Sequence, residues 1–182
     1  MSWPWVGVSA HPVTELLTSL IPADASDVVE VNAGAPTSDQ AWSDARRPRR
    51  LRLSDGLDTV GGPLVDDGAQ ELARPGRTDT AVMWFALQQL DPRGASELLD
   101  RVAVALRPQG TVIVAGCMPD HGIVDRRALE LDRRRLRARC PEGGWWSLRQ
   151  QAGWLARAGF EGLSVVDAPG NATIVGAQSP GS

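Results

Sequence analysis

An acidic residue and a histidine stand side by side at Asp120 and His121, shortly after the apolar run 111–115. Such a β-branched run predicts a buried strand, so both side chains are expected near the end of that strand. A histidine can act as a general base near neutral pH, and a carboxylate can orient its ring. Asp120 and His121 are therefore predicted catalytic residues, and ordinary polar loop residues are the alternative.

The basic residues of this chain are unusual because all 19 are arginines. Seven of them fall in the segment 125–139, where Asp125, Glu130 and Asp132 are interleaved with them. Two interpretations stay open. The charges can pair with one another on a helix surface, or they can recognise anionic groups on a ligand or an acidic partner. The second interpretation predicts a small-molecule substrate of anionic character.

Composition favours a globular protein. A chain of 182 residues is long enough for one domain with its own core, and we predict a single domain over 1–182 with an N-terminal segment at 1–10 and a disordered tail at 178–182. The net charge of -3 counts against a nucleic-acid partner.

No apolar run approaches the ~20 residues of a membrane span. The absence of a signal-peptide pattern predicts a cytoplasmic location, and exclusive use of arginine indicates a GC-rich bacterial genome.

Seven tryptophans make up most of the aromatic content. Trp145 and Trp146 lie in a glycine-rich stretch, and Trp154 falls off the apolar face of the helix predicted there. Tryptophan is a favoured anchor in interfaces and pockets. The pattern predicts a homo- or hetero-oligomer, with capping of the core as the alternative.

Apolar periodicity predicts alternating helices and strands. The helices are expected at 12–21, 91–106, 125–139 and 147–159, and the strands at 27–31, 49–54, 64–65, 80–87, 111–115, 163–167 and 173–177. Ser147 and Gln150 have the spacing of a capping box. Strands that alternate with helices predict a doubly wound, mostly parallel Rossmann-like α/β sheet. The last two strands form an antiparallel hairpin.

Three stretches in this order resemble the class I S-adenosylmethionine-dependent methyltransferase family. Residues 78–90 are similar to its fourth strand, where an Asp precedes apolar residues and a pair such as His-His follows. Residues 106–114 resemble its Leu-Lys-Pro-Gly-Gly turn into strand five, and 157–160 match the Ala-Gly-Phe before strand six. The resemblance extends over about 13–178.

The resemblance implies S-adenosylmethionine as the cofactor, bound after the first strand. The family has an acidic-x-Gly-x-Gly-x-Gly motif there, and this chain has Glu30-Val-Asn32-Ala-Gly34-Ala-Pro36. Glu30 and Gly34 match the motif. Asn32 and Pro36 replace glycines that let the backbone approach a ligand closely, so the motif is degenerate.

Three further positions follow from the resemblance. Asp55 lies near the position of the acid that binds the ribose hydroxyls, and Asp66 or Asp67 resembles the acid that faces the adenine amino group. Trp84 follows the fourth strand, where a pocket wall is expected. For both acids the alternative is a role in turns, where Asp is common.

Three functions are compatible with these observations. The preferred one is a methyltransferase-like protein that has lost methyl transfer and serves small-molecule (secondary metabolite) biosynthesis, as a tailoring enzyme for cyclisation or elimination or as a subunit of a biosynthetic complex. The second is an active small-molecule methyltransferase. The third is a non-catalytic partner or regulatory subunit, since a fold alone does not fix function.

Overall fold

The computed structural model of the chain describes residues 16–32, 49–52, 72, 74–121, 127, 130, 133–134, 137–138, 140–168 and 172–179. Six strands lie within them: β1 (Val28–Asn32), β2 (Arg49–Arg52), β3 (Thr78–Trp84), β4 (Leu106–Gly116), β5 (Glu161–Ala168) and β6 (Ala172–Gln178). Helix α1 includes residues 16–20, α2 is Pro92–Ala105 and α3 is Leu148–Arg157. A short 3₁₀ turn covers Leu87–Gln89.

The strands form one sheet in the order β2-β1-β3-β4-β6-β5. Strands β2, β1, β3 and β4 are parallel, and β6 is antiparallel to both β4 and β5. Strand β5 therefore runs in the same direction as β4, and five strands end along one side of the sheet, which we call the carboxyl edge. The mostly parallel α/β sheet and the C-terminal hairpin are confirmed.

Both faces of the sheet are covered by apolar side chains. Val29 and Val31 of β1 point to the face where α2 and α3 pack, and Val28 points to the face of α1. All seven residues of β3 are buried. This explains why β1, β3 and β4 read as nearly continuous apolar runs, as strands covered on both faces do.

The helices begin where local capping groups favour it. Asp91 precedes α2 and its carboxylate accepts the Gly94 N–H at 2.6 Å, while Pro92 occupies the first turn. At α3 the predicted capping box is present: Ser147 Oγ accepts from Gln150 N at 3.1 Å, and Gln150 Oε1 accepts from Ser147 N at 3.0 Å. Five apolar residues of α2 are buried against the sheet.

The opposite edge of the sheet is fixed by the carboxylate of Asp79. Its Oδ2 accepts hydrogen bonds from Ser26 N at 2.6 Å, Ser26 Oγ at 2.9 Å and Asp27 N at 2.9 Å, and its Oδ1 lies 3.0 Å from Arg107 Nε. Burial raises the pKa of Asp79, but these hydrogen bonds and the Arg107 charge outweigh it, so the pKa lies below its ordinary value of 3.8. The carboxylate joins the start of β1 to β3 and β4.

Some element boundaries and one side-chain orientation differ from the expectations. Strand β3 ends at Trp84 rather than at 87, because Phe85 turns the chain with φ of 50°. Trp154 was expected off the apolar face of its helix but is 6% exposed and packs in the core. Ser179 was expected in a disordered tail, yet its hydroxyl donates to the Arg107 carbonyl at 2.6 Å.

Several expectations lie outside the described residues, among them the strand at 64–65, the N-terminal segment and the residues after Ser179. No helix in the described part of the chain has the length and apolar character needed to cross a membrane.

Candidate active site

The carboxyl edge contains a crevice between β1 and β3, where the strand order changes direction. Open parallel sheets bind ligands at such a switch point, beyond the carboxyl ends of the strands. Asn32 of β1 lies beside Trp84 of β3 in the sheet register. Glu30, two residues before Asn32, is completely buried.

Two aromatic residues, Trp84 and Phe85, lie where β3 ends at this edge. Trp84 is 7% exposed, and its ring meets that of Phe85 edge to face with centroids 5.3 Å apart. The positive φ of Phe85 is unfavourable for a residue with a side chain. The Phe85 N–H donates to the Ala115 carbonyl at 2.8 Å, which holds this turn against β4.

The loop after β4 places His121 against an acid at the end of β5. Nε2 of His121 lies 3.1 Å from Oδ1 of Asp167. The side chains are 33% and 65% exposed, so a ligand at the carboxyl edge can reach the pair. The carboxylate beside His121 is thus Asp167, whereas the sequence suggested Asp120 for this position.

Asp120 has a different contact. Its Oδ1 accepts the Leu148 N–H at 2.6 Å, at the first residue of α3. This hydrogen bond satisfies one of the N–H groups that a helix start leaves without a partner in the helix. Asp120 therefore joins the loop after β4 to α3, and the sequence neighbours Asp120 and His121 contact different elements.

A loop at 141–147, which we call the tryptophan loop, crosses the carboxyl edge. The Gly144 N–H donates to the Gln88 carbonyl at 3.0 Å, and Nε1 of Trp146 donates to the Leu87 carbonyl at 2.9 Å. Trp145 packs against the core on the α1 face, and Trp146 packs against the core on the other face. The loop thus covers the 3₁₀ turn Leu87–Gln89 and places one tryptophan on each face of the sheet.

Beneath the tryptophan loop lies the fully buried side chain of Gln88. Neither its Oε1 nor its Nε2 has a hydrogen-bond partner among the described residues. Each buried polar group left without a partner costs about 1–3 kcal/mol. A side-chain amide kept in this state at a ligand edge is a candidate binding group.

Comparison with solved structures identifies the fold. The mitomycin 7-O-methyltransferase MmcR superposes with a TM-score of 0.69 at 17% identity, over 94% of this chain and 54% of MmcR. A SAM-dependent methyltransferase from Thermotoga maritima gives 0.60 at 14% identity, over 96% of this chain and 90% of that protein. The fold is the class I methyltransferase fold.

The structure of PigF with SAH has the same fold, with a TM-score of 0.67 at 14% identity over 96% of this chain and 56% of PigF. This chain therefore spans about half the length of MmcR and PigF. No protein-family model and no curated relative matches the chain.

Three of the residues predicted for the cofactor site lie within the described strands. Asn32 and Trp84 are register partners at the ends of β1 and β3, and Glu30 is buried two residues earlier in β1. Gly34, Asp55 and Asp67 lie outside the described residues, as does the rest of the degenerate motif. Among the residues that the structure describes, no group of three potential metal ligands occurs.

The arginine-rich segment is described at six positions, all of them helical and exposed. Glu130 Oε1 lies 3.4 Å from Arg134 Nε, one turn apart, as the surface-pairing alternative predicted. An exposed pair of this kind contributes at most about 0.5 kcal/mol.

Sequence reasoning missed Asp167 and Gln88. Asp167 is the last residue of the strand predicted at 163–167. Because β6 is antiparallel to both β4 and β5, β4 and β5 run in the same direction. This topology could have placed Asp167 at the carboxyl edge. Gln88 carries no sequence signal of burial, since glutamine is mostly exposed. Only the tertiary contacts reveal it.

Proposed function

We propose that this chain is an S-adenosylmethionine-dependent methyltransferase that modifies a hydroxyl group of a small biosynthetic molecule. The observation that carries the proposal is the contact of His121 with Asp167 at the carboxyl edge. A histidine oriented by a carboxylate supplies the base that a hydroxyl acceptor needs. The similarity to MmcR, a mitomycin 7-O-methyltransferase, supports this class of substrate.

The described part of the crevice fits the cofactor by its chemistry. Glu30 offers a buried carboxylate, which accepts hydrogen bonds from hydroxyl or ammonium groups. Trp84, opposite Asn32 in the register, offers a flat apolar ring. Glu30, Asn32 and Trp84 would hold S-adenosylmethionine together with the expected Gly34, Asp55 and Asp67. When bound, this cofactor supplies an electrophilic methyl group on a sulfonium sulfur.

His121 acts on the acceptor in this proposal. Nε2–H donates to the Asp167 carboxylate, which fixes the tautomer and leaves Nδ1 as the basic nitrogen. The acceptor hydroxyl gives its proton to Nδ1, and Asp167 stabilises the imidazolium that forms. General-base assistance of this kind is worth about 10²–10⁴-fold in rate.

The test combines cofactor binding with methyl transfer. Calorimetry with S-adenosylmethionine is expected to show binding that Glu30→Gln weakens. Transfer of a tritiated methyl group to hydroxylated aromatic acceptors is expected to fall about 10²–10⁴-fold in His121→Asn, with cofactor affinity unchanged. Asp120→Asn is the matched control and should retain transfer. The proposal fails if the wild-type protein does not bind S-adenosylmethionine.

A second candidate follows from the sequence of the cofactor motif. Asn32 and Pro36 stand where glycines are expected, and both add atoms or restrict φ where the backbone must approach a ligand. A protein of the same fold that no longer transfers methyl groups would act as a tailoring enzyme for cyclisation or elimination, or as a subunit or regulatory partner in a biosynthetic complex. Calorimetry without S-adenosylmethionine binding favours this candidate.

A further inference from the structure

The amide of Gln88 presents a hydrogen-bond donor and an acceptor side by side, and both lack partners in the described structure. The side chain is fully buried and lies against Gly116, the last residue of β4. Its two polar atoms are therefore held at the carboxyl edge, where ligands of parallel sheets bind. A glutamine on the protein surface would be exposed, and its amide would hydrogen-bond to water.

Two glycines allow the backbone to lie directly against Gln88. A Cβ atom at Gly116 would overlap Nε2 of Gln88, and a Cβ atom at Gly143 would overlap the Gln88 carbonyl oxygen. Any side chain at either position would displace Gln88 or the tryptophan loop. The end of β4 and the tryptophan loop thus both fit around this one glutamine.

The tryptophan loop lies over Gln88 and is held there by two hydrogen bonds. The Gly144 N–H donates to the Gln88 carbonyl, and the Trp146 Nε1–H donates to the Leu87 carbonyl. The residues of this loop from Gly143 to Ser147 are only partly buried. A ligand would reach the Gln88 amide only if this loop lifts, and Trp145 and Trp146 belong to the segment that would move.

We propose that Gln88 anchors the substrate of this protein in a subsite closed by the tryptophan loop, and that the substrate is a planar aromatic molecule with a lactam-type N–H and C=O side by side. The amide Oε1 accepts from the lactam N–H, and Nε2 donates to the lactam carbonyl, so both orphan atoms gain partners at once. Trp145 and Trp146 favour an aromatic ring. This subsite deepens the proposed function, because it identifies the substrate class.

The test uses 2-quinolinone as the probe and calorimetry as the measurement. Saturable binding is expected for the wild-type protein, and Gln88→Leu is expected to weaken it at least about tenfold. 1-Methyl-2-quinolinone lacks the N–H and is expected to bind more weakly to the wild-type protein. Gln88→Leu should melt no lower than the wild-type protein, because an amide without partners is removed.

Thr80→Val is the matched control. Thr80 Oγ1 is also buried without a partner, but it lies near the start of β3, away from the carboxyl edge. This variant should bind 2-quinolinone like the wild-type protein. Equal binding of the probe by Gln88→Leu, or no saturable binding by the wild-type protein, would overturn the subsite. Binding of S-adenosylmethionine, measured on the same variants, reports separately on the proposed function.

Discussion

At the scale of single residues, the structure separates groups that keep the fold together from groups that can meet a ligand. Asp79 has four polar contacts at the edge opposite the crevice, all within the protein. Gln88 is more deeply buried than Asp79, but its side-chain amide has no hydrogen-bond partner among the described residues. Burial of a polar side chain is thus informative only together with its hydrogen bonds.

We expect Asp79→Asn to destabilise the protein by about 1.5–3 kcal/mol, since these hydrogen bonds lose their charged acceptor and Arg107 loses its ion-pair partner. The lowered pKa of Asp79 means that its stabilisation is complete above the ordinary carboxyl pKa and is lost as the pH falls through the folded-state pKa. Urea unfolding at pH 7 and pH 3 should show a smaller difference for Asp79→Asn than for the wild-type protein. The exposed Asp100→Asn should keep the wild-type difference.

At the scale of elements, helix α3 depends on two neighbours in different ways. The capping box of Ser147 and Gln150 is local and was predicted from spacing. The second contact, from Asp120 to the Leu148 N–H, comes from a loop 28 residues earlier in the chain. Helix α3 is therefore positioned by the loop that also contains His121.

Asp120→Ala should destabilise the protein by about 0.5–2 kcal/mol, because the Leu148 N–H loses its acceptor. Asp120→Asn retains an acceptor oxygen and should be close to the wild-type protein. Thermal melts of both variants measure the difference. Equal stability of the Ala and Asn variants would show that the contact with Leu148 does not stabilise α3.

At the scale of the whole molecule, one sheet separates two apolar clusters. Successive residues of β3 point to opposite faces, Val82 to the cluster with α1 and Met83 to the cluster with α2 and α3. Both clusters pack on the same strands, so unfolding of the sheet disrupts both of them. The two clusters should therefore unfold together.

Leu17→Ala and Leu98→Ala each remove a fully buried side chain, one from each cluster. Each should cost about 2–5 kcal/mol and shift a single unfolding transition. Far-UV circular dichroism and tryptophan fluorescence should give the same midpoint in each variant. Val104→Ala, at a position 54% exposed, should stay within about 0.5 kcal/mol of the wild-type protein. Separate midpoints for the two probes would mean that the clusters unfold independently.

Sequence alone predicted the features that depend on local order. Strands β1, β3 and β4, the buried face of α2 and the capping box of α3 all follow from apolar periodicity and capping residues close together in the chain. The C-terminal hairpin was predicted from its strands and turn. The resemblance to methyltransferases rested on three short stretches in order, and the structure confirms the fold it implied.

Tertiary structure decided which side chains meet. Sequence adjacency suggested Asp120 as the partner of His121, but that acid caps α3 and His121 contacts Asp167, 46 residues later. Trp154 was misplaced because it packs edge to face with Trp146, from another segment. Gln88 lies against Gly116 and beneath the tryptophan loop, both of them distant in sequence. Periodicity reports which face of an element is apolar, whereas the partners of a polar or aromatic side chain depend on how distant segments pack.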